Sequence, residues 1–479
     1  MTAANTVTAN NFIAAASIAI NDPTLQTALD RGTGRGVNGR ITAMAETQDA
    51  AALRQQARGA KLRALHDLPD LLEQFERNIT ARGATVLYAE NSEQCNQLVL
   101  EIARHHDVRK VAKGKSMASE ETHLNHALEE AGLEVIETDL GEFIIQLAHE
   151  MPSHIVYPVI HKTREQVSDL FVEKLGIEPT DDPAALTKAA REFMRQQFIT
   201  ADMGITGGNF AIAETGTIAI VTNEGNGRMS SSMPRVHVAI VGIEKIIETV
   251  DDFGTLVQLL PRSATGQRIT TYVHMMSGPA RPDDPDGPDF MYVIFLDNGR
   301  SQIRGQADYA ESLACIRCGA CLNICPVYQN VGGHSYGWVY PGPIGAVVTP
   351  LLNSLKNAAP LPHASSLCGA CKQACPVDID IPAMLLRLRG DEVDQGITDP
   401  LLTAAIKGWR VTMQSVALYE LAGRVASAAS RGIAGADGSL HALPGMLGNW
   451  TKNRDFPAFA PKSFRQLWRE RKGGKTNAL

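Results

Sequence analysis

Seven of the eight cysteines of this 479-residue chain fall between Cys315 and Cys375, and only Cys95 stands apart. A disulfide framework spreads its cysteines through a small secreted scaffold, whereas clustering of this kind in a long chain points to metal. Cys315, Cys318 and Cys321 are followed by Cys325 and Pro326, the C-x2-C-x2-C-x3-C-P run of bacterial ferredoxins. Two-residue gaps let a tightly turning backbone aim three thiolates at three corners of one iron–sulfur cubane. The fourth cysteine opens a helix and points toward a second cluster, and the proline after it fits a first helical turn, where its missing N–H is no loss. A second run, SSLCGACKQACP, places Cys368, Cys371, Cys375 and Pro376 at the spacing of the last three positions of the first.

Crossed ligation between the runs gives two [4Fe–4S] clusters. Cluster one takes Cys315, Cys318, Cys321 and Cys375, and cluster two takes Cys325, Cys368 and Cys371. Cluster two is one thiolate short, because Ser365 stands where the fourth cysteine belongs. Its fourth iron is left to Ser365, another side chain, water, substrate or a partner's group, or is absent in a three-iron form. The plainer alternative is structural zinc, but zinc has no need of the third cysteine in a run, the three-residue gap or the trailing proline. Between the runs, GGHSYGWVYPGPIGAVVTPLLNSL reads as a loop wrapping the clusters and ending in a helix, with His334 a loop residue rather than a ligand.

The rest of the chain is built to another rhythm. Residues 1–80 read as a helical arm, and 81–304 alternate strand and helix: TVLYA, VRKVA, LEVIETDL and HIVYPVI as strands, THLNHALEEAG and FIIQLAHEM as helices. Strand-rich segments continue through ITGGNFAIAETGTIAIVTNEGN, RVHVAIVGIEKII and DFMYVIFLDN, with the proline-rich stretch 278–289 an exposed excursion. Such alternation is the pattern of an α/β domain on a largely parallel sheet. Residues 305–395 form the cysteine-bearing, helical, ferredoxin-like domain, and 396–479 a helical C-terminal extension whose last fifty residues look loosely structured. A net charge of −7 leaves no basic excess for nucleic acid. No apolar run reaches the roughly 18–20 residues that cross a bilayer, and MTAANTVTANNF lacks a secretory signal layout, so the expected location is cytoplasmic.

Within the α/β part, Glu214, Thr215 and Thr217, then Asn223, Glu224 and Arg228, stand at strand ends, where such sheets bind ligands. They read either as a substrate pocket with Arg228 pairing a carboxylate, or as turn chemistry with a surface ion pair. Lys113 and Lys115 lie between a strand and a helix and either meet an anion there or are simply exposed. No G-x-G-x-x-G follows the first strand, so a nicotinamide site of the usual kind is not expected. Cys95 reads as a small buried hydrophobe.

Together with the cysteine runs, ETDLGEFIIQLAHEMPSHIVYPVIH, GITGGNFAIAETGTIAIVTNEGNGR and GGHSYGWVYPGPIGAVVTP give the chain its resemblance. It resembles the lactate utilization protein B family (LutB, LldF or YkgF), iron–sulfur proteins of bacterial L-lactate oxidation, over nearly its whole length. The resemblance implies an N-terminal lactate-utilization domain similar to the NagB/RpiA/CoA-transferase fold, a two-cluster ferredoxin-like module and a helical extension. It implies an electron-transfer subunit of a complex that turns L-lactate into pyruvate. Its implied partners are an A-type subunit with heterodisulfide-reductase-like domains and a C-type subunit sharing the lactate-utilization domain. Two alternatives stand beside this reading: a self-sufficient 2-hydroxy-acid dehydrogenase, and a non-redox scaffold or regulator with structural clusters.

Overall fold

Val, Ile and Phe dominate segments 236–242 and 290–296, and both become central strands of a parallel sheet, where burial on two faces asks for continuous apolar runs. The computed structural model describes residues 8–284, 286–443 and 445–474. The start of the chain, read above for a signal layout, and Pro285 in the excursion lie partly or wholly outside those residues.

The strands of the first unit are β1 Thr85–Ala89, β2 Lys110–Lys113, β3 Glu134–Glu137, β4 Met203–Thr206, β5 Phe210–Ile212, β6 Thr217–Thr222, β7 Val236–Gly242, β8 Ile246–Ile247, β9 Tyr272–Met276 and β10 Phe290–Leu296. Six of them make a sheet in the order β1-β10-β7-β4-β2-β3, with every pairing parallel. One face, with Val241, Val293 and Phe295, packs on the helix Leu68–Thr80 through Leu71, Phe75 and Ile79. The other, with Val238, Ile240 and Ile294, packs on Cys95, Val99 and Leu128. A second sheet, β8-β5-β6-β9, is mixed, with antiparallel pairs β5–β6 and β6–β9.

The expected strand HIVYPVI is not one: residues 151–163 run as loop and turns. His154 explains why, since its buried ring accepts the backbone N–H groups of Val156 and Tyr157 at Nδ1 (2.9 and 3.0 Å), folding the segment onto itself. The tail is likewise more ordered than its composition suggests, with paired strands Ser439–Leu440 and Phe456–Pro457 and a helix Phe464–Gly474.

The N-terminal helices bind the first unit together. Helix Pro23–Ala45 begins at Asp22, whose carboxylate accepts from the N–H groups of Thr24 and Leu25, with Pro23 in the first turn. Gly36 on this helix faces Asn323 so closely that an added Cβ would lie 2.5 Å from its amide nitrogen. From the helix Ala50–His66, Arg54 donates to the carbonyl of Cys375 (2.7 Å) and Arg58 to that of Asp378 (2.7 Å), while Lys61 reaches the carbonyl of Glu244. One helix thus ties the cysteine-bearing segment to the α/β layer.

The chain divides into two compact units, meeting in sequence at Gln395 and Gly396. In the second, helices Pro400–Gln414 and Val416–Ile433 pack on each other and are separated at Ser415, whose hydroxyl caps the second by accepting the N–H of Leu418. Leu401, Ile406, Trp409, Leu421 and Val425 are exposed on them.

Candidate metal centre and the cavity beside it

Folding brings the separated cysteines together. Cys315, Cys318, Cys321 and Cys375 line one small cavity, closed by Ile155, Ile344 and Ile379. Cys325, Cys368 and Cys371 form the neighbouring set, and burial first and mutual proximity second push the Cys325 and Cys371 thiols up, Cys371 to about 12. Burial raises Cys375 to about 11, while the N–H of Ala370 leads in drawing the exposed Cys368 down. Backbone N–H groups aim at the sulfurs: Ala320 at Cys318, Tyr328 and Val327 at Cys325, Ile379 and Val377 at Cys375. Soft sulfur donors in an apolar shell, met by amide N–H groups, are what iron–sulfur clusters require, so the donor set fits them.

The two cysteine runs share one backbone turn. Arg317, before Cys318, and Leu367, before Cys368, both adopt positive φ (59° and 55°), and so do Gly319 and Gly369 after those cysteines (73° and 82°). The match extends to the opening residue of each run. Cys315 Sγ accepts the N–H of Arg317 at 3.4 Å, and Ser365 Oγ accepts the N–H of Leu367 at 3.1 Å. Within its turn Ser365 therefore stands as Cys315 stands in the first run.

A larger cavity of about 370 Å³ opens at the carboxyl ends of β2, β4 and β7, and Arg317 and Ile155 line both it and the four-cysteine cavity. At its inner end lies a buried ionic cluster. Arg300 forks onto both carboxylate oxygens of Glu121 (2.8 and 2.8 Å) and donates to Glu244 (2.6 Å), and Tyr340 donates to Glu121 (2.7 Å). Burial alone would raise the Glu244 carboxyl, but Arg300, Lys245 and Arg317 outweigh it and hold it at about 2. Arg317 lies 4.4 Å over the Tyr340 ring and 3.8 Å from Glu244, and one of its terminal nitrogens is buried without a hydrogen-bond partner. Lys245 also lines the cavity, and loss of hydration lowers its ammonium to about 8. At the outer end burial, then Asp139, raise Glu224 to about 7.

Of the strand-end residues singled out from sequence, Asn223 and Glu224 line this cavity. Glu214, Thr215, Thr217 and Arg228 are not among its lining residues. Glu214 accepts the N–H of Val250, opening a helix, and Thr215 donates to Thr217, which meets Ser277. Lys113 is fully buried against Glu120 and Glu137, whereas Lys115 lines the cavity and donates to the carbonyl of Val156. His334 meets the carbonyl of Met151, and Cys95 is fully buried in the apolar core. Sequence reasoning passed over Arg300, Arg317, Glu121, Glu244 and Lys245. Arg300 had a signal, a charge immediately after the apolar strand at DNGR, and Arg317 had another, a cation between two candidate ligands.

Residues 72–296 match the LUD domain, 311–379 a 4Fe-4S dicluster domain, and 388–473 the C-terminal region of lactate utilisation protein B. Fold, cysteine constellation and these matches define an iron–sulfur protein in which a LUD domain precedes a 4Fe-4S dicluster domain. The Lactate utilization protein B of Bacillus cytotoxicus is 41% identical over 456 residues, 95% of this chain and 96% of that protein. Those of Bacillus thuringiensis and Bacillus cereus agree with it to the same extent. The chain belongs to the lactate utilization protein B family. A crystal structure of a DUF162 family protein from Deinococcus radiodurans aligns with 48% of this chain and 98% of its own, at 17% identity and a TM-score of 0.29. No helix among the described residues is long and apolar enough to cross a membrane.

Proposed function

We propose that the chain is a cytoplasmic electron-transfer subunit of a complex that oxidises L-lactate to pyruvate, working with an A-type heterodisulfide-reductase-like subunit and a C-type subunit that shares its LUD domain. The observation that carries this reading is the grouping of sulfurs from two separated stretches, four around one apolar cavity and three beside them. Cys315, Cys318, Cys321 and Cys375 hold the first cluster, and Cys325, Cys368 and Cys371 hold the second, with Ser365 at its fourth corner. When bound, each [4Fe–4S] cluster exchanges one electron. Around them the isoleucines exclude water, the backbone N–H groups disperse charge on sulfur, and Lys245 and Arg317 set positive charge against Cys315. The exposed apolar helix faces of the second unit suit docking of partner subunits.

One observation favours a second reading, in which this chain itself takes the hydroxy acid: the larger cavity shares Arg317 with the four cysteines. Its volume sits at the small end of ligand pockets, about 300–1,000 Å³, which suits a small acid rather than a dinucleotide. Arg317 and Lys245, both lining the cavity, then hold the carboxylate of the acid.

Anaerobic iron and sulfide analysis with electron paramagnetic resonance tests the assignment. Cys325→Ser is expected to remove the signal of the second cluster and spare the first, and Ser365→Cys to retain the second with altered g values. Selective loss of the first cluster in Cys325→Ser, or a colourless zinc-loaded protein, refutes it. On the same samples, bleaching by L-lactate without partners favours the second reading, and bleaching only with partners the first.

A further inference from the structure

Away from the cysteines, the carboxyl ends of β2 and β3 carry Lys113 and Glu137 as their last residues, with Glu120 and Glu142 on the helices that follow. One carboxylate oxygen from each of Glu120, Glu137 and Glu142 lies within 4.8 Å of the others. Glu137 and Glu142 are 3% and 2% exposed. Lys113 donates to Glu120 (2.9 Å) and to Glu137 (2.5 Å), and Asn125 donates to Glu137 (2.6 Å). What remains is a set of buried acceptors without donors: both oxygens of Glu142, Oε2 of Glu137 and Oδ1 of Asn125. Leaving one such acceptor unmade costs about 1–3 kcal/mol, more where it is charged, and four together call for a common partner.

That partner has to supply positive charge rather than one more N–H. Three carboxylates face one ammonium, so a divalent ion brings the group to neutrality. All the free donors are hard oxygens, which select Mg²⁺ or Mn²⁺ over zinc or copper. In an octahedral shell at about 2.0–2.1 Å, ligand oxygens stand roughly 3–4.2 Å apart, so oxygens within 4.8 Å of one another need draw in only slightly around an ion. A cavity of about 240 Å³, lined by Glu120, Glu137 and Glu142 together with His123 and Gln146, gives the ion a route in and room for its waters. We propose that Glu120, Glu137 and Glu142, with the side-chain oxygen of Asn125, bind one Mg²⁺ or Mn²⁺ ion. The site is independent of the iron–sulfur reading, and no cysteine takes part in it.

The test is Mn²⁺ binding to the full-length, iron-loaded chain, followed by electron paramagnetic resonance of the free ion and by calorimetry, with Mg²⁺ as competitor. One ion per chain is expected, displaced by Mg²⁺, and Glu142→Gln should weaken it at least tenfold with iron and sulfide content unchanged. An exposed control, Glu93→Gln, should leave it as it was. Should Glu142→Gln fail to fold, the thermal midpoint of the unaltered chain reports instead, rising saturably with Mn²⁺ at one ion per chain. No uptake by the unaltered chain, in which case Glu142 simply carries a proton, or equal affinity in a folded Glu142→Gln chain, overturns the proposal.

Discussion

His237 lies at the centre of the parallel sheet with none of its surface exposed, Nε2 2.9 Å from the Thr206 hydroxyl and Nδ1 without a partner. Burial, and then His274, make the imidazolium unwelcome and lower the ring to about 3. The unfolded chain takes up that proton near pH 6.5 and the folded chain does not. The stability this ring contributes is thus complete above about pH 6.5 and is lost as pH falls toward 3, by about 2 kcal/mol at pH 5. A His237→Gln variant keeps a hydrogen-bonding group beside Thr206 without a titrating ring. Between pH 7.5 and 5.0 the unaltered chain should lose about 2 kcal/mol more, by urea denaturation, than the variant. Equal losses would show that the ring accepts a proton in place. At this scale the sequence is read best where chemistry is local. The spacing of the cysteines is a property of a dozen residues, whereas the Glu121–Arg300–Glu244 cluster joins positions far apart in the chain and exists only after folding.

Between elements, the closest approach that positions the cavity is made at Gly204 in β4. A Cβ there would overlap the carbonyl of Ser230 on the helix Asn226–Ser232, whose first residues line the cavity. Gly204→Ala should push this helix off the sheet, at a cost of about 1–3 kcal/mol of overpacking. Its first sign should be faster hydrogen exchange at 226–232, with the β7–β10 amides still protected; unchanged exchange there would mean that the backbone yields without cost. The alternating strands of the parallel sheet were legible because apolar runs with helices between them admit few other folds. The second, mixed sheet was not, since β5 and β8 are two or three residues long and carry no periodicity of their own. Segment 154–160 misled for a related reason. Its Ile and Val content fits a strand, but a histidine ring captures its backbone N–H groups.

Across the whole chain, all seven clustered cysteines and every residue of the buried ionic cluster fall in the first unit, which ends at Gln395. The helix Ala50–His66 secures that unit from the far end of the sequence, with Arg54 on the carbonyl of Cys375 and Lys61 on that of Glu244. The cysteine segment is therefore held by the N-terminal arm and the LUD domain, and its own unit leaves no cysteine to be supplied from beyond residue 395. The second unit instead presents Leu401, Ile406, Trp409 and Leu421 to solvent, more large apolar surface than a lone helical pair retains without use. A chain ending at Gln395 should accordingly keep the iron and sulfide of the full chain, per molecule and within error, together with its visible spectrum. The same truncation should lower co-purification with the A-type and C-type subunits proposed as partners by tenfold or more. Loss of iron on truncation would mean that the second unit shields the clusters, and undiminished partner recovery would move the docking surface onto the first unit.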